Sequence, residues 1–418
     1  MTVDPLSLAR EQLPTSWSVA RVRDVAKINA KVLPESTDPE YEFQYIDISA
    51  VSSLGEVQKV DTVRFGEAPS RARRVVSAGD ILVSTVRTYL RAITRVRAAE
   101  DVVASTGFAV ITPDRGIDAD YLYWWINSNP FVEQIVAQSV GVSYPAINAS
   151  EIARMLVPLP EGSTQNRIAR YLERECGHLD ALAAEQRHQR RLLEERFRSA
   201  LVNHFIPSRR DDTSEMTRMK YLFEFQRNGI WGDDPTGSSD DVVCIRVADF
   251  DRFAFRAGGD SDTIRSVKAA HALPRILRTG DVLLEKSGGT EDKPVGCAVT
   301  YEGEGRAVCS NFVAQLRPRP EHNARFLGLL LAAHYQAKLN SPFVKQTTGI
   351  QNLDSNAYLG EYARVPSRSE QDAIVREVES DLDLASRALG EYERAEQLLG
   401  ERKRAVITAA VTGQMEVA

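Results

Sequence analysis

"STQNRIARYLERE", Ser163 to Glu175, and "SEQDAIVREVESD", Ser369 to Asp381, each follow a proline and open a long charged run. Gln165 and Gln371 stand 206 positions apart, and at that offset Pro160–Ile206 aligns with Pro366–Thr412 without a gap. Identical pairs include Pro160/Pro366, Ser163/Ser369, Gln165/Gln371, Ile168/Ile374, Arg170/Arg376, Glu173/Glu379, Glu185/Glu391, Leu192/Leu398, Leu193/Leu399, Glu195/Glu401, Arg196/Arg402 and Arg198/Arg404. Upstream the echo is gapped: "SAGDILVS" (Ser77–Ser84) answers "RTGDVLLE" (Arg278–Glu285), and "NPFVEQ" (Asn129–Gln134) answers "SPFVKQ" (Ser341–Gln346). The chain is a tandem duplication in which part of each copy has diverged.

The period of the repeated part is helical. Ser163 and Ser369 stand where an N-cap belongs, with Asp372 three residues beyond Ser369 in a variant capping box. Ile168, Leu172, Leu179, Leu182, Leu193 and Ala200 recur at steps of three and four, matched by Ile374, Val378, Ala385, Ala388, Leu399 and Val406. Each helix therefore shows one narrow apolar seam and wants a partner. At ~1.5 Å per residue, about 40 residues make a rod on the order of 60 Å, close to two turns of DNA. The simplest packing sets the two rods against each other, antiparallel, as a spacer; a helical hairpin with only a folding role is the alternative.

The diverged parts read as mixed α+β. Up to residue 160, short β-rich runs such as "FQYIDISAV", "DILVSTV" and "GFAVITP" are broken by Gly, Pro and Asp, and Tyr121–Gln138 reads as one helix. From about 217 to 366 the order recurs, ending in a helix over Ala324–Leu339. Turns at Gly79-Asp80 and Gly280-Asp281 each introduce a buried strand, and structure alone explains those pairs.

Composition bounds the function. The 418 residues, 43% hydrophobic and 26% charged, make two or three ordinary domains. Neither a leader pattern nor a membrane-length apolar run is visible, so the expected location is cytoplasmic, with no membrane partner. Cys176, Cys244, Cys297 and Cys309 show no metal-ligand or disulfide spacing, and read as buried thiols. His178, His188 and His204 read as surface or seam residues of the first helix.

A net charge of -6 sits uneasily with nucleic-acid binding, but it hides a local reversal. Between Lys59 and Glu100, nine basic residues face four acidic ones. Arginine forks suit guanine edges and phosphates, which makes Arg64, Arg71, Arg73, Arg74, Arg87 and Arg91, with Tyr89 between the last two, candidate DNA contacts. A solvated basic surface explains the same residues. In the second copy the matching loop, "EKSGGTEDKPVG", offers Lys286, Ser287, Gly288, Gly289 and Lys293, where glycine lets backbone approach a ligand; a flexible hairpin is the plain alternative.

Across almost its whole length the chain resembles the specificity subunit of Type I restriction–modification systems. The likeness rests on arrangement: a variable domain, a "PLP…STQNRIARYL" helix, a second variable domain, and a "VPSRSEQDAIVREV" helix. It implies an α+β fold with two α/β-mixed target-recognition domains in tandem pseudo-twofold repeat, separated by two long antiparallel coiled-coil helices. The segments would be 1–160, 161–206, 207–366 and 367–418. It further implies that each domain reads one half of a bipartite site on double-stranded DNA, and that the helices fix the gap between halves. The seam residues Ile168, Leu172, Leu179, Leu182, Leu193, Ile374, Val378, Leu399 and Val406 would pack the helices or dock partners. Two methyltransferase subunits would carry S-adenosylmethionine, restriction subunits would carry ATP and Mg²⁺, and this chain would hold no cofactor. Divergence between the domains implies an asymmetric target. Arg364 and Ser367 depart from the apolar or Pro wording usual in that family, so the second partner contact differs in detail.

Two rivals belong to other classes. Asp281, Glu291 and Lys293 imitate loosely the D…(D/E)xK pattern of metal-dependent nucleases, although nothing corresponds after Asp80. "NPF" at Asn129–Phe131 weakly resembles a methyltransferase NPPY/F loop, but lacks a proline and a glycine-rich cofactor loop. No GxxxxGK[ST] is present. A coiled-coil scaffold that never touches DNA would keep the helices and need no basic cleft.

Overall fold

The structure, a computed structural model, describes residues 13–52, 55–97, 100–141, 144–206, 216–258, 261–290, 293–347 and 349–417. The chain forms two compact units: residues 1–187 with 393–418, and residues 188–392. The division cuts through both long helices rather than at their ends, unlike the four expected segments.

In the first unit a strand pair, β1 (Ser18–Arg21) and β10 (Leu156–Leu159), brings the ends of the domain together. Between them lie β2 (Ala26–Ile28), β3 (Glu42–Ile46), β4 (Asp61–Arg64), β5 (Ala72–Val76), β6 (Ile81–Ser84), β7 (Ile93–Arg95), β8 (Val102–Ser105) and β9 (Phe108–Pro113). They form two four-stranded sheets of order β2-β9-β6-β7 and β4-β3-β8-β5. All four residues of β6 are buried, as a short uninterrupted apolar run predicts for a strand covered on both faces. The turn before it is locked: Gly79 has φ +92°, and the buried Asp80 carboxylate accepts the Ser77 N–H at 2.7 Å.

The expected single helix over Tyr121–Gln138 is two, α1 (Ala119–Asn127) and α2 (Asn129–Gln138), because Ser128 is extended and Pro130 starts the second. Asp118 caps α1, accepting the N–H groups of Asp120 and Tyr121 at 2.9 Å each. Tyr121 and Trp125 are wholly buried, and donate to the carbonyls of Pro158 at 2.9 Å and Leu156 at 3.0 Å.

The second unit repeats this plan. Its ends meet in β11 (Met216–Arg218) and β23 (Tyr362–Arg364). A five-stranded sheet has the order β12 (Phe223–Asn228), β20 (Val313–Pro318), β16 (Val282–Glu285), β18 (Ala298–Tyr301) and β14 (Arg256–Ala257). A three-stranded sheet joins β15 (Ile264–Ser266), β13 (Asp241–Ile245) and β19 (Ala307–Cys309), and another joins β17 (Ser287–Gly288), β22 (Ile350–Leu353) and β21 (Val344–Thr347). As in the first unit, β16 is central and wholly buried, behind a Gly280-Asp281 turn with Gly280 at φ +93°. Helix α4 (Ala324–Gln336) takes the place of α1, capped by Asn323.

One echo does not keep its structure. "NPFVEQ" opens α2, whereas "SPFVKQ" forms a 3₁₀ turn followed by β21. After the first, Phe131, Val132 and Ile135 bury an i, i+4 face; after the second, a short turn to β22 gives every residue of β21 a strand partner.

The long helices are α3 (Gly162–Phe205) and α5 (Arg368–Val411). Both start earlier than the expected serine caps. Ser367, not Ser369, precedes α5 and its N–H donates to Glu370 at 3.1 Å; Asp372 instead accepts from Asn323 at 2.7 Å and Arg368 at 3.0 Å. Within the first unit, Asp180 pairs with Lys403 at 2.7 Å and Arg187 with Glu396 at 3.0 Å, so these stretches of α3 and α5 run antiparallel.

The seam is real but differently composed. Ile168, Leu172 and Cys176 enter the first unit's core; in the second unit Phe197, Leu201 and Phe205 share a core with Val378, Leu382 and Ala385. Leu179, Leu193, Ile374, Leu399 and Val406 are half-buried. Leu182 is a correction: it is 52% exposed, because six residues beyond Cys176 it has turned about 240° around the helix. All four cysteines are buried free thiols. Among the described residues no helix is long and apolar enough to cross a membrane.

Candidate nucleic-acid interface

Each unit opens a cleft at the C-terminal end of its central buried strand, and the two are built from equivalent backbone. After β6, the Thr85 carbonyl accepts the Ile147 N–H at 2.9 Å, and Val86 bridges Ala146. After β16, the Lys286 carbonyl accepts the Leu353 N–H at 2.8 Å, and Ser287 pairs with Asn352. Ala146 and Asn352 are themselves 206 positions apart, so the ladder that shapes the cleft belongs to the repeat although its side chains do not.

The first cleft has a volume of about 1000 Å³ and is lined by Asp47, Ser49, Arg71, Ser84, Thr85, Arg87, Thr106 and Tyr144 with apolar neighbours. Arg87 sits in the left-handed region at φ +50° and lays its guanidinium over the Tyr144 ring, 4.5 Å from the centroid. A stacked fork keeps its N–H edge available for a planar acceptor. Burial raises the Asp47 carboxyl, but the Ser49 N–H and hydroxyl, the Tyr45 hydroxyl and the charge of Arg71 outweigh it and hold Asp47 below the usual range. The first cleft thus keeps one fixed anion behind two arginines.

The basic stretch does not gather as one surface. Arg71 and Arg87 reach the cleft, and Tyr89 is 53% exposed nearby in the turn after Arg87. Arg64 instead pairs with Glu42 at 3.1 Å and Glu40 at 3.4 Å. Arg73 lies over Phe65 at 4.7 Å and donates to the Ala72 carbonyl at 2.9 Å, while Arg74 is half-buried in β5. Arg91 donates to Asn129 at 2.8 Å, and burial, with Arg404 near, lowers its pKa. That contact also occupies the asparagine of the "NPF" motif. Arg95 and Arg97 pair with Glu173 of α3.

The second cleft, about 520 Å³, is lined by Gln226, Asn228, Lys286, Ser287, Asn352, Asp354, Ser355 and Asn356. Ser287 and Asn352 hydrogen-bond at 2.6 Å, Gln226 donates to Ser355 at 2.6 Å, and Lys345 neutralises Asp354 at 2.9 Å. Gly288 and Gly289 have φ of +118° and +61°, and a Cβ on Gly289 would lie 2.7 Å from the Val295 nitrogen. Both glycines hold backbone conformations that favour glycine. Lys293 is exposed in the following turn, its N–H on the Thr290 hydroxyl at 3.1 Å.

Asp281 has a structural task. It is buried, and accepts the Arg278 N–H at 2.8 Å, Gln315 Nε2 at 2.7 Å, and a two-pronged contact from Arg317 at 2.9 and 2.8 Å. A buried carboxylate that accepts four hydrogen bonds and pairs with an arginine fork is accounted for by the fold. Glu291 lies outside the described residues, and among the described residues no group of three or more His, Cys, Asp and Glu side chains could hold a metal ion.

Sequence reasoning missed the residues that join each domain to its helix. Gln165 donates to the Pro160 carbonyl and accepts the Asp118 N–H, both at 2.9 Å; Gln371 does the same with Pro366 at 2.8 Å and Asn323 at 2.9 Å. Glu173 receives Arg95 and Arg97, and Glu379 receives Arg256 and Arg325. Their identity at the 206 offset was the available signal. The cleft amides gave none, since they lie scattered from 226 to 356.

Comparison with known proteins bears out the resemblance. Residues 14–186 match the family described as Type I restriction modification DNA specificity domain. The Type I restriction enzyme MjaIX specificity subunit of Methanocaldococcus jannaschii is 23% identical over 202 residues, 47% of this chain and 45% of that protein. The match therefore spans less than half the length of that curated relative. A solved chain, from work on complex assembly and conformational transition of the type I R-M system, is 22% identical with a TM-score of 0.68 over 96% of this chain and 99% of that one. At that identity what is shared is the fold. The HsdS subunit from Thermoanaerobacter tengcongensis aligns over 96% and 98% of the two chains at 22% identity, with a TM-score of 0.45 that carries no further weight.

Proposed function

Residues 14–186 match the family described as Type I restriction modification DNA specificity domain, and we propose that the whole chain is the specificity subunit of a Type I restriction–modification complex. It recognises DNA and catalyses nothing by itself. Each unit reads one half of a bipartite, asymmetric site through its cleft, and α3 and α5 set the spacing. The observation that carries this reading is the pair of clefts: equivalent backbone, anchored to equivalent helices by equivalent glutamines and glutamates, but lined by different side chains. A duplicated frame with diverged linings suits a ligand that repeats in shape and differs in sequence, which describes two DNA half-sites. Methylation would use S-adenosylmethionine on methyltransferase partners, and cleavage would use ATP and Mg²⁺ on restriction subunits.

The docking surface follows from the same repeat. Identities such as Gln165/Gln371 are buried and explained by packing. Leu192 and Arg196, with their counterparts Leu398 and Arg402, are exposed, and each pair lies on one helical stripe. Leu192 is 44% and Leu398 55% exposed, one in each unit. Among the described residues neither leucine enters a core cluster, and an identical partner at each position accounts for it. Two methyltransferase subunits are those partners.

Arg71→Ala and Arg87→Ala, measured by DNA binding against salt, test the cleft. The expected result is weaker binding with a shallower salt slope. Unchanged affinity and slope would leave the scaffold reading standing. Leu192→Asp and Leu398→Asp should each remove one methyltransferase subunit by native mass spectrometry, and the double variant both.

A further inference from the structure

The chemistry of the clefts assigns a different base to each half-site, an inference that rests on the DNA-reading role just proposed. An amide reads adenine by offering both its oxygen and its NH₂, to N6 and N7, and a guanidinium fork reads guanine at O6 and N7. In the second cleft, Gln226 donates one N–H to Ser355 at 2.6 Å and Asn352 accepts from Ser287 at 2.6 Å, which ties each of these amides down by one end. Asn228 and Asn356 line the same cleft, are exposed, and make no side-chain hydrogen bond among the described residues. They are the amides with both ends available. Among the described residues no arginine lines this cleft. The first cleft inverts the pattern: among the described residues no Asn or Gln lines it, and its recognition-capable forks are Arg71 and Arg87, the latter oriented by stacking on Tyr144 at 4.5 Å.

We infer that Asn228 and Asn356 read adenine in the half-site bound by the second unit, while Arg87 reads guanine in the half-site bound by the first. Gln226, Asn352 and Ser287 form the wall that positions the two asparagines. Lys286, at the cleft edge, supplies positive charge without a fork.

The test uses the chain assembled with its methyltransferase partners and a duplex carrying its own methylated motif, together with every single base-pair replacement in both half-sites. Asn228→Ala and Asn356→Ala should each weaken the cognate duplex roughly ten- to hundredfold. Each should leave affinity unchanged for the duplex in which one A·T pair of the second unit's half-site is already replaced. Arg87→Lys keeps the charge and removes the fork. It should erase discrimination at one G·C pair of the other half-site while the salt slope stays as in the wild type. Equal weakening across the whole panel would make these residues phosphate contacts and overturn the inference. So would an asparagine effect mapping to a G·C pair. A wild-type assembly that shows no preferred motif would contradict the proposed function itself.

Discussion

Replacing Gln371 with leucine keeps the volume of a side chain that is 1% exposed and removes its two bonds to backbone, along with a 3.3 Å contact to His322 Nδ1. The Asn323 N–H, held at 2.9 Å, and the Pro366 carbonyl, held at 2.8 Å, are then left without partners. An unpaired buried backbone group costs about 1–3 kcal/mol. Pro366 is buried and Asn323 half-buried, so the lower end applies at Asn323 and the total comes to about 2–4 kcal/mol. Gln165→Leu makes the same two orphans, Asp118 N–H and Pro160 carbonyl, in the other unit. Hydrogen exchange read by mass spectrometry on the full chain separates the units. Gln371→Leu should reduce protection in α4 and β23 by roughly thirty- to several hundredfold and spare α1, and Gln165→Leu should do the reverse. A loss under about 0.5 kcal/mol, or one shared equally by both units, would refute the claim that these repeated glutamines join each domain to its own helix.

His334 lies in α4 at 6% exposure, and burial pushes its pKa down to about 4. Its folded value lies below the ordinary 6.5, so the stability tied to its neutral form is complete above pH ~6.5 and drains away toward pH 4, by up to about 3 kcal/mol. Urea midpoints across that range should fall less steeply for His334→Leu than for the wild type; parallel curves would contradict this. Asp281→Ala strips Arg317 of its buried partner and should destabilise the second unit by about 3–5 kcal/mol. Melting of Lys293→Ala should stay within about 0.5 kcal/mol of wild type. A metal nuclease would instead lose Mg²⁺-dependent cleavage in both variants with the fold intact.

The duplication was legible because its cause is local. Gln165 and Gln371 bond matching backbone groups, and Glu173 and Glu379 each receive two arginines, so the residues themselves were retained. Fold class followed from it, together with the buried strands behind Gly79-Asp80 and Gly280-Asp281. What stayed hidden depended on tertiary partners. "NPFVEQ" and "SPFVKQ" read alike, yet one is a helix and the other a strand, because β22 is there to pair with β21. Helix starts were misplaced by about two residues, since capping was assigned to Ser369 when Ser367 and Glu370 perform it. The basic stretch predicted one surface, but Arg64 pairs with Glu40 and Glu42 and Arg73 lies over Phe65, partners that only the fold supplies. Cleft residues such as Asn228, Asn356 and Tyr144 are brought together only by the fold.

Sequencing methylated bases in cells that carry the methyltransferase partner, with and without this chain, is the measurement to make first. A split, asymmetric motif methylated only when the chain is present is the expected result, and replacing residues 1–160 should alter one half of that motif alone. Methylation that ignores the chain, or a replacement that rewrites both halves together, would contradict a subunit that reads two half-sites with two independent clefts.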